Sequence, residues 1–527
     1  MQQAAAKGRR NSLAILTTGF AAVLFTSGCG NQYRPVVTAT NPVGPAGQPT
    51  KYAVAISNPS ATAVGCGETY AAGQGETGLI TIVDVSGDTV LATPNIGPAS
   101  NNNFFLPPSA FDCPLNPNIF SIDIATGSSG FIVDPNVGLF QSGGGFADFP
   151  LSATLLSQNV VQSTLATGAN PSSVEAITVT STGSTVFVTQ AGDSSLSPVV
   201  PPSIAALSVT SGPSLLQSIT LADSTQVPVF VVGYDNTQRV YALSEPSAGG
   251  LGEASAIEGT QLAISATIPV GINPVYGVMT SDTKRAYILN QGSGTVSVIN
   301  VVNNALDTGV QYPQQPDGTT PPVGTIPLPN ITTPSGTTAP NPVWADYSLT
   351  TNELVVLNQG DGVNPGSLSI INIPLCNINT QPSNPNCSTT NPTDATGFGT
   401  IVATVPVGIN PTMVSMLVDG TQAYVVNSGT AGTGAGASVS VVNLISGVVT
   451  ATIPSTTTDT QDTPTQIVNS IFGHPNTISA TTGSPTGKVY ITSPDDQYLT
   501  ILRTDNNTVQ AHINLQGYGV RVLVNTR

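Results

Sequence analysis

Five proline-led segments of this chain bring different side chains to equivalent positions. Aligning Asn-Pro at 170–171, 273–274, 341–342 and 410–411 with His-Pro at 474–475 sets Ser173, Tyr276, Trp344, Met413 and Thr477 in one column. Two residues on, the column holds Glu175, Val278, Asp346, Ser415 and Ser479. Strand alternation sends both columns to the same side of the backbone. Where such strands converge, Tyr276, Trp344 and Met413 would supply apolar contact, and Glu175 and Asp346 would orient a ligand or hold a cation. The residues equally suit packing between neighbouring units with the carboxylates solvated, and the column alone leaves both assignments open.

Other chemistry is sparse. There is no C-x-x-C-H for covalent haem, no G-x-S-x-G elbow and no H-E-x-x-H pair. His474 and His512 are the only histidines and cannot build a multi-histidine metal centre. A single Trp argues against Trp-rich quinone-cofactor proteins. The G-x-G patterns at 432–436 follow a strand inside a low-complexity insert, where a flexible loop is expected rather than a phosphate cradle. No resident cofactor is expected; calcium is the one cation the acids suit. Asn290, Asn358 and Asn427 recur at strand ends and are expected to form turns by bonding local backbone.

The elements that must position these residues are repeats. The phrase at 267–300, T-I-P-V-G-I-N-P-V-Y-G-V-M through A-Y-I-L-N and T-V-S-V-I-N, returns at 404–443 as T-V-P-V-G-I-N-P-T-M through A-Y-V-V-N and S-V-S-V-V-N. Each clear unit offers four short β runs: one after Asn-Pro, the A-Y-V-V-N type, the T-V-S-V-I-N type, and a V-V-T-A-T-I type. Four-stranded units recurring every 40–50 residues or more predict the blades of an all-β propeller, in which neighbours bury one another's faces. The repeats number eight over 51–527. The second is degenerate, with 118–127 fitting a third strand, so seven blades also suit the chain. The tail at 520–525 reads as a strand without a later partner, while the first unit lacks a first strand. The tail is therefore expected to complete the first unit and close a single ring, leaving no open edge between the first and last blades.

The start of the chain indicates export. Lys7, Arg9 and Arg10 precede a mostly apolar run at 13–25, too short for a comfortable permanent span, and T-S-G-C-G ends it. Small residues before Cys29 resemble a bacterial lipoprotein lipobox, with Thr26 in place of the usual Leu. The resemblance implies a signal peptide at 1–28, a lipidated Cys29 and a Pro/Gly/Thr-rich tether at 29–50. Four other cysteines remain, an even number that favours disulfides in an exported chain. Of the three pairings, Cys376–Cys387 closes a short Asn/Pro-rich loop and leaves Cys66–Cys113. The short loop would stabilise by about 3 kcal/mol at best.

Charged residues make up 8% of the chain, against about 25% in ordinary soluble domains. Removing 1–28 takes Lys7, Arg9 and Arg10 and no acid from a formal charge of −16, leaving −19. A chain this acidic does not hold nucleic acid by counterion release.

Tyr424-Val425-Val426-Asn427, followed by S-V-S-V-V-N and T-A-T-I-P, resembles the YVTN-type β-propeller repeat of bacterial and archaeal surface and periplasmic proteins. The segments 286–290 and 354–358 are looser copies. The resemblance spans about 51–527 and implies a propeller at the periplasm or cell surface, attached to the membrane through its lipid anchor alone. Two functions follow as expectations. The first is a non-enzymatic binding or scaffold module for an envelope protein or glycan. The second is a hydrolase that resembles lactonase propellers, with a divalent cation held in a central channel by Glu175, Asp346 and His474.

Overall fold

The computed structural model describes residues 51–58, 78–93, 95–96, 121–123, 129–134, 145–150, 163–166, 171–180, 183–194, 197–209, 214–307, 323–334, 336–376, 387, 392–456, 469–481, 487–515 and 517–524. The expected leader at 1–28, the tether at 29–50, Cys29, Cys66 and Cys113 lie outside these residues. The described residues hold strands and turns and no helix, so none is long and apolar enough to cross a membrane.

The β-branched runs pair as antiparallel meanders, with one parallel addition of Ile471–Phe472 to Val448–Thr456. Among the described residues they form eight sheets of four or five strands, plus the hairpin of Ile331–Thr333 with Gly336–Thr338. One sheet runs Pro411–Met416, Gln422–Asn427, Ser438–Asn443, Val448–Thr456, with Tyr424 opposite both Ser415 and Val441. Three turns between third and fourth strands carry a left-handed Asp88, Asn304 or Asn507, at φ of 53°, 53° and 55°, a conformation that short polar side chains tolerate. The segment 118–127 departs from expectation. Among the described residues, Ser121–Asp123 pairs only with Ser129–Asp134, heading that sheet, and lies against the heading strand Pro171–Thr180 of the next, so these three residues form a first strand and not a third. The C-terminal strand Tyr518–Val524 takes the first place in the sheet of Tyr52–Asn58 and Gly78–Asp84, pairing antiparallel with Tyr52–Asn58.

The second strands explain the continuous apolar runs in the sequence. Arg285–Asn290 is buried at every residue, and Gln422–Asn427 at all but its first. A strand covered on both faces needs apolar side chains on both, which erases alternation. The covering faces belong to neighbouring sheets. One core joins Val355, Leu357 and Leu368 to Val414, Ala423 and Val425 of the following sheet. Another joins Tyr490, Leu499 and Ile501 of the last sheet to Ala53, Ala55 and Val83 of the first. Fourth strands alternate instead, as in Ile401–Ile409, because their outer face meets solvent.

Asn290, Asn358 and Asn427 are fully buried, so they are interior ties and not turn residues. Asn290 Nδ2 donates to Thr295 Oγ1 and Ser297 Oγ of the third strand, while its Oδ1 accepts the Gly271 N–H from the preceding sheet. Asn427 repeats this with Ser438, Ser440 and Gly408.

Polar clasps join successive sheets at the other end of the second strands. Tyr241, Tyr424 and Tyr490 donate through their hydroxyls to Asn304, Asn507 and Asp88 of the next sheet, at 3.2, 2.7 and 3.1 Å. Burial pushes the Tyr241 phenol up to about 12 and raises the other two as well, so all three stay protonated donors near neutral pH. Two residues before Tyr490, Lys488 Nζ reaches Asp88 Oδ2 at 2.7 Å and the Val85 carbonyl at 2.8 Å. Arg285 occupies the same position before Tyr287 and is 1% exposed. It pairs with Asp307 of its own sheet, and its Nη2 reaches Asp394 Oδ1 at 2.9 Å and the Pro392 carbonyl at 3.0 Å. Asp394 forms an antiparallel bridge with Leu375, next to the expected Cys376–Cys387 disulfide. The Cα atoms of that pair lie 5.7 Å apart, and the Cys376 N–H donates to the Thr393 carbonyl.

Burial and the neighbouring Asp307 raise the Asp394 pKa well above the ordinary carboxylate range. The folded chain therefore holds a proton that the unfolded chain releases. With more protons on the native state, stability falls as pH rises from about 4 toward the folded pKa. Urea unfolding midpoints between pH 4 and 8 should show this decline, worth more than about 1 kcal/mol, and Asp394→Asn should flatten it. An unchanged pH slope in the variant would assign the decline to other groups.

Candidate functional site

Four successive sheets open with the same local device. Pro228, Pro274, Pro342 and Pro411 stand at or near the start of their inner strands, where a missing N–H costs little. Immediately after each proline the register slips, before Phe230, Tyr276, Trp344 and Met413. A bulge bends the strand and re-aims the following side chain. Asn273, Asn341 and Asn410, left-handed at φ of 52°, 49° and 51°, set the entry angle in three of the four sheets.

The re-aimed side chains form a row. Tyr276 and Trp344 stack with ring centroids 3.9 Å apart and planes 22° apart. Phe230 joins Tyr276 at 4.9 Å with a 52° tilt. The guanidinium carbon of Arg521, from the C-terminal strand, stands 5.1 Å from the Trp344 ring centroid. All four are half-buried. Such aromatic pairs contribute about 0.5–1.5 kcal/mol each, and a partly desolvated cation–π contact about 0.5–2 kcal/mol. Met413 is buried. Its Sδ accepts the Ile478 N–H at 3.4 Å, and Trp344 packs against the core that contains it.

Asp346 faces the wall and not the row. It is 2% exposed, Oδ2 accepts the Met416 N–H of the next inner strand at 2.8 Å, and Oδ1 accepts the Tyr347 N–H at 2.8 Å. The same task recurs around the inner strands. Ser173, Ser415 and Ser479 hydroxyl oxygens accept the N–H groups of Val231, Ala480 and Val524 at 3.4, 3.0 and 3.1 Å. Thr477 Oγ1 likewise accepts from Val522. An inner strand is the edge of its sheet, and these oxygens satisfy donors that would otherwise be orphaned. Glu175 is half-buried beside Gly233, where an added Cβ would lie 2.8 Å from Glu175 Cγ. His474 Nδ1 pairs with Asp495 Oδ2 at 2.8 Å, and its Nε2 faces the backbone of Gly434. Among the described residues no group of three or more His, Cys, Asp or Glu is placed to hold a metal ion.

Tyr276 and Trp344 are thus brought together, with Met413 beside the Trp344 core, while Asp346 and Glu175 occupy separate settings. Phe230 and Arg521 escaped the sequence alignment. Pro228-Val229-Phe230 carries the Pro-Val-aromatic signal of 274–276 and 342–344, but Val227 replaces the Asn on which the columns were aligned. Arg521 lies on a strand without an aligned copy, so no pattern marked it.

No family model matches the chain, and no curated protein matches it. Solved structures do. The chain is similar to dihydro-heme d1 dehydrogenase NirN in complex with DHE, at 11% identity and a TM-score of 0.52 over 92% of this chain and 78% of that one. It also matches AztD of Citrobacter koseri at 10% identity and a TM-score of 0.48, over 90% of this chain and 97% of that one. The periplasmic gluconolactonase PpgL of Pseudomonas aeruginosa matches at 15% and 0.42, over 76% and 95%. The chain has a propeller-like, all-β fold. At these identities the likeness extends to fold and not to chemistry.

Asp346→Ala removes the acceptor of the buried Met416 N–H. It should destabilise the chain by about 1–3 kcal/mol, read as a lower thermal midpoint, while Asp346→Asn keeps one acceptor and loses less. Equal melting of all three proteins would remove Asp346 from the wall between sheets.

Proposed function

We propose that this chain is an exported, lipid-anchored β-propeller of the YVTN type that works as a non-enzymatic binding or scaffold module in the cell envelope. The observation that carries the reading is the division of labour at the inner strands. Half-buried Phe230, Tyr276, Trp344 and Arg521 offer contact surface, whereas Asp346 is committed to backbone donors. A hydrolase of the lactonase kind would need carboxylates free to hold a cation, so the binding reading is preferred. The basic n-region, apolar run and Cys29 support export and anchoring, and Cys29 would carry the lipid.

The propeller reading takes each of the eight larger sheets as a blade. Its support is the cyclic neighbourhood of the inner strands. Pro171–Thr180, Gln226–Val232, Pro274–Met279, Pro342–Ser348, Pro411–Met416 and Thr477–Ala480 lie each against the next. Tyr518–Val524 then touches Thr477–Ala480 on one side and Ser121–Asp123 on the other, and the latter returns to Pro171–Thr180. Pairing of the C-terminal strand with Tyr52–Asn58 would fasten the ring, and the Lys488–Asp88 clasp would reinforce the same junction.

Trp344 is the only Trp, so its fluorescence reports the row alone. Titrating calcium and gluconolactone into the full chain should leave that fluorescence unchanged and give no lactone hydrolysis above buffer. Calcium-dependent hydrolysis of the lactone would replace the binding reading by the enzymatic one.

A further inference from the structure

A strip of carboxamides stands at the entries of the strands that carry the aromatic row. Asn273, Asn341 and Asn410 each precede a strand-opening proline, three residues before Tyr276, Trp344 and Met413. The loop after each second strand folds back onto this entry. The N–H groups of Gln291, Gln359 and Ser428 donate to the carbonyls of Asn273, Asn341 and Asn410 at 2.8, 3.0 and 3.0 Å. Three successive sheets thus present an Asn with a Gln or Ser beside it, all half-buried.

The amides are linked in a defined order. Asn273 Nδ2 donates to Gln291 Oε1 at 3.1 Å, and Asn341 Nδ2 to the Gly360 carbonyl at 2.6 Å. Gln359 Nε2 crosses to Asn410 Oδ1 of the next sheet at 2.7 Å. Left-handed backbone explains why Asn stands at 273, 341 and 410. It does not explain Gln291 and Gln359, whose longer side chains hold the amides of their neighbours in fixed orientation.

These bonds use only part of each amide's capacity. Asn273 Oδ1, Asn341 Oδ1 and Gln359 Oε1 remain as acceptors without a protein partner among the described residues, and Gln291 Nε2 and Asn410 Nδ2 remain as donors. An amide offers two donors and a two-lone-pair acceptor, and a hydroxyl is both donor and acceptor. A strip that offers both amide acceptors and amide donors therefore matches a chain of neighbouring hydroxyls. The strip carries no charge. Asp361, next along the loop from Gly360, spends its oxygens on the Val363 and Asn364 N–H groups and on Asn364 Nδ2.

We infer that this amide strip binds a neutral glycan, with the amides bonding sugar hydroxyls and the exposed parts of Tyr276 and Trp344 supplying apolar contact at its inner end. The inference rests on the non-enzymatic binding reading and specifies its ligand. The net charge of −16 on the chain and the exposed Asp361 carboxylate beside the strip select neutral sugars over uronic acids, while Arg521, the cation at the inner end, stands over the Trp344 ring.

The test titrates the full chain with maltohexaose, cellohexaose, mannohexaose, chitohexaose and hexagalacturonate, followed by calorimetry and Trp344 fluorescence. At least one neutral hexasaccharide should bind, at least tenfold more tightly than hexagalacturonate. Gln291→Ala with Gln359→Ala should weaken it at least tenfold while the thermal midpoint stays within a few degrees of the parent. Should the double variant prove unstable, Gln359→Glu, which keeps size and adds charge, should weaken the neutral sugar in the same direction. No binding by any neutral hexasaccharide, or equal binding by the variants, would overturn the assignment. A protein partner retained by the double variant would overturn the glycan and leave the non-enzymatic reading standing, whereas calcium-dependent lactone turnover would overturn that reading itself.

Discussion

Burial of the second strands on both faces is the constraint on which the rest depends. Arg285–Asn290, Gln422–Asn427 and their counterparts are apolar on two sides, and a lone four-stranded sheet covers neither. The cores accordingly straddle sheets. Leu357 meets Val425 of the next sheet, and Tyr490 of the last sheet meets Ala53 and Val83 of the first. Stability is then a property of neighbouring pairs, as in other repeat architectures. The polar clasps follow the same logic. Tyr241, Tyr424 and Tyr490 send their hydroxyls into the next sheet because that sheet, not solvent, covers them.

A second constraint sits at the inner strands. Side by side but not paired as a ladder, they leave backbone donors facing one another. Ser173, Asp346, Ser415, Thr477 and Ser479 answer those donors. The two columns of side chains therefore divide. Short polar residues and Asp346 knit the wall, while the large side chains after the bulge are free to stack. That division explains how a chain can vary Phe, Tyr, Trp and Met at one register without losing the fold.

Much of the fold was legible because the repeats are spelled out in strands. The Asn-Pro entry, the apolar second strand and the Ser-x-Ser third strand all reappear as pairing registers. The second unit was misplaced because 118–127 carries strand propensity without the flanking phrase that marks order. The interior role of Asn290 and Asn427 was missed since a strand-end Asn reads as a turn, and only the third strand's serines opposite it reveal the tie. At the candidate site, the Tyr276–Trp344 contact was legible from register. The commitment of Asp346 was not, because it depends on a backbone N–H seventy residues away. Phe230 and Arg521 needed three dimensions for similar reasons.

The central claim, that the sheets stand only as mutual neighbours with the C-terminal strand among them, is tested most directly by native-state hydrogen exchange read by mass spectrometry. Peptides covering 52–58, 285–290, 353–358, 422–427, 488–492 and 518–524 should exchange through shared large-scale openings of similar free energy. Exchange of 518–524 and 52–58 at a loop-like rate, with the other strands fully protected, would contradict it.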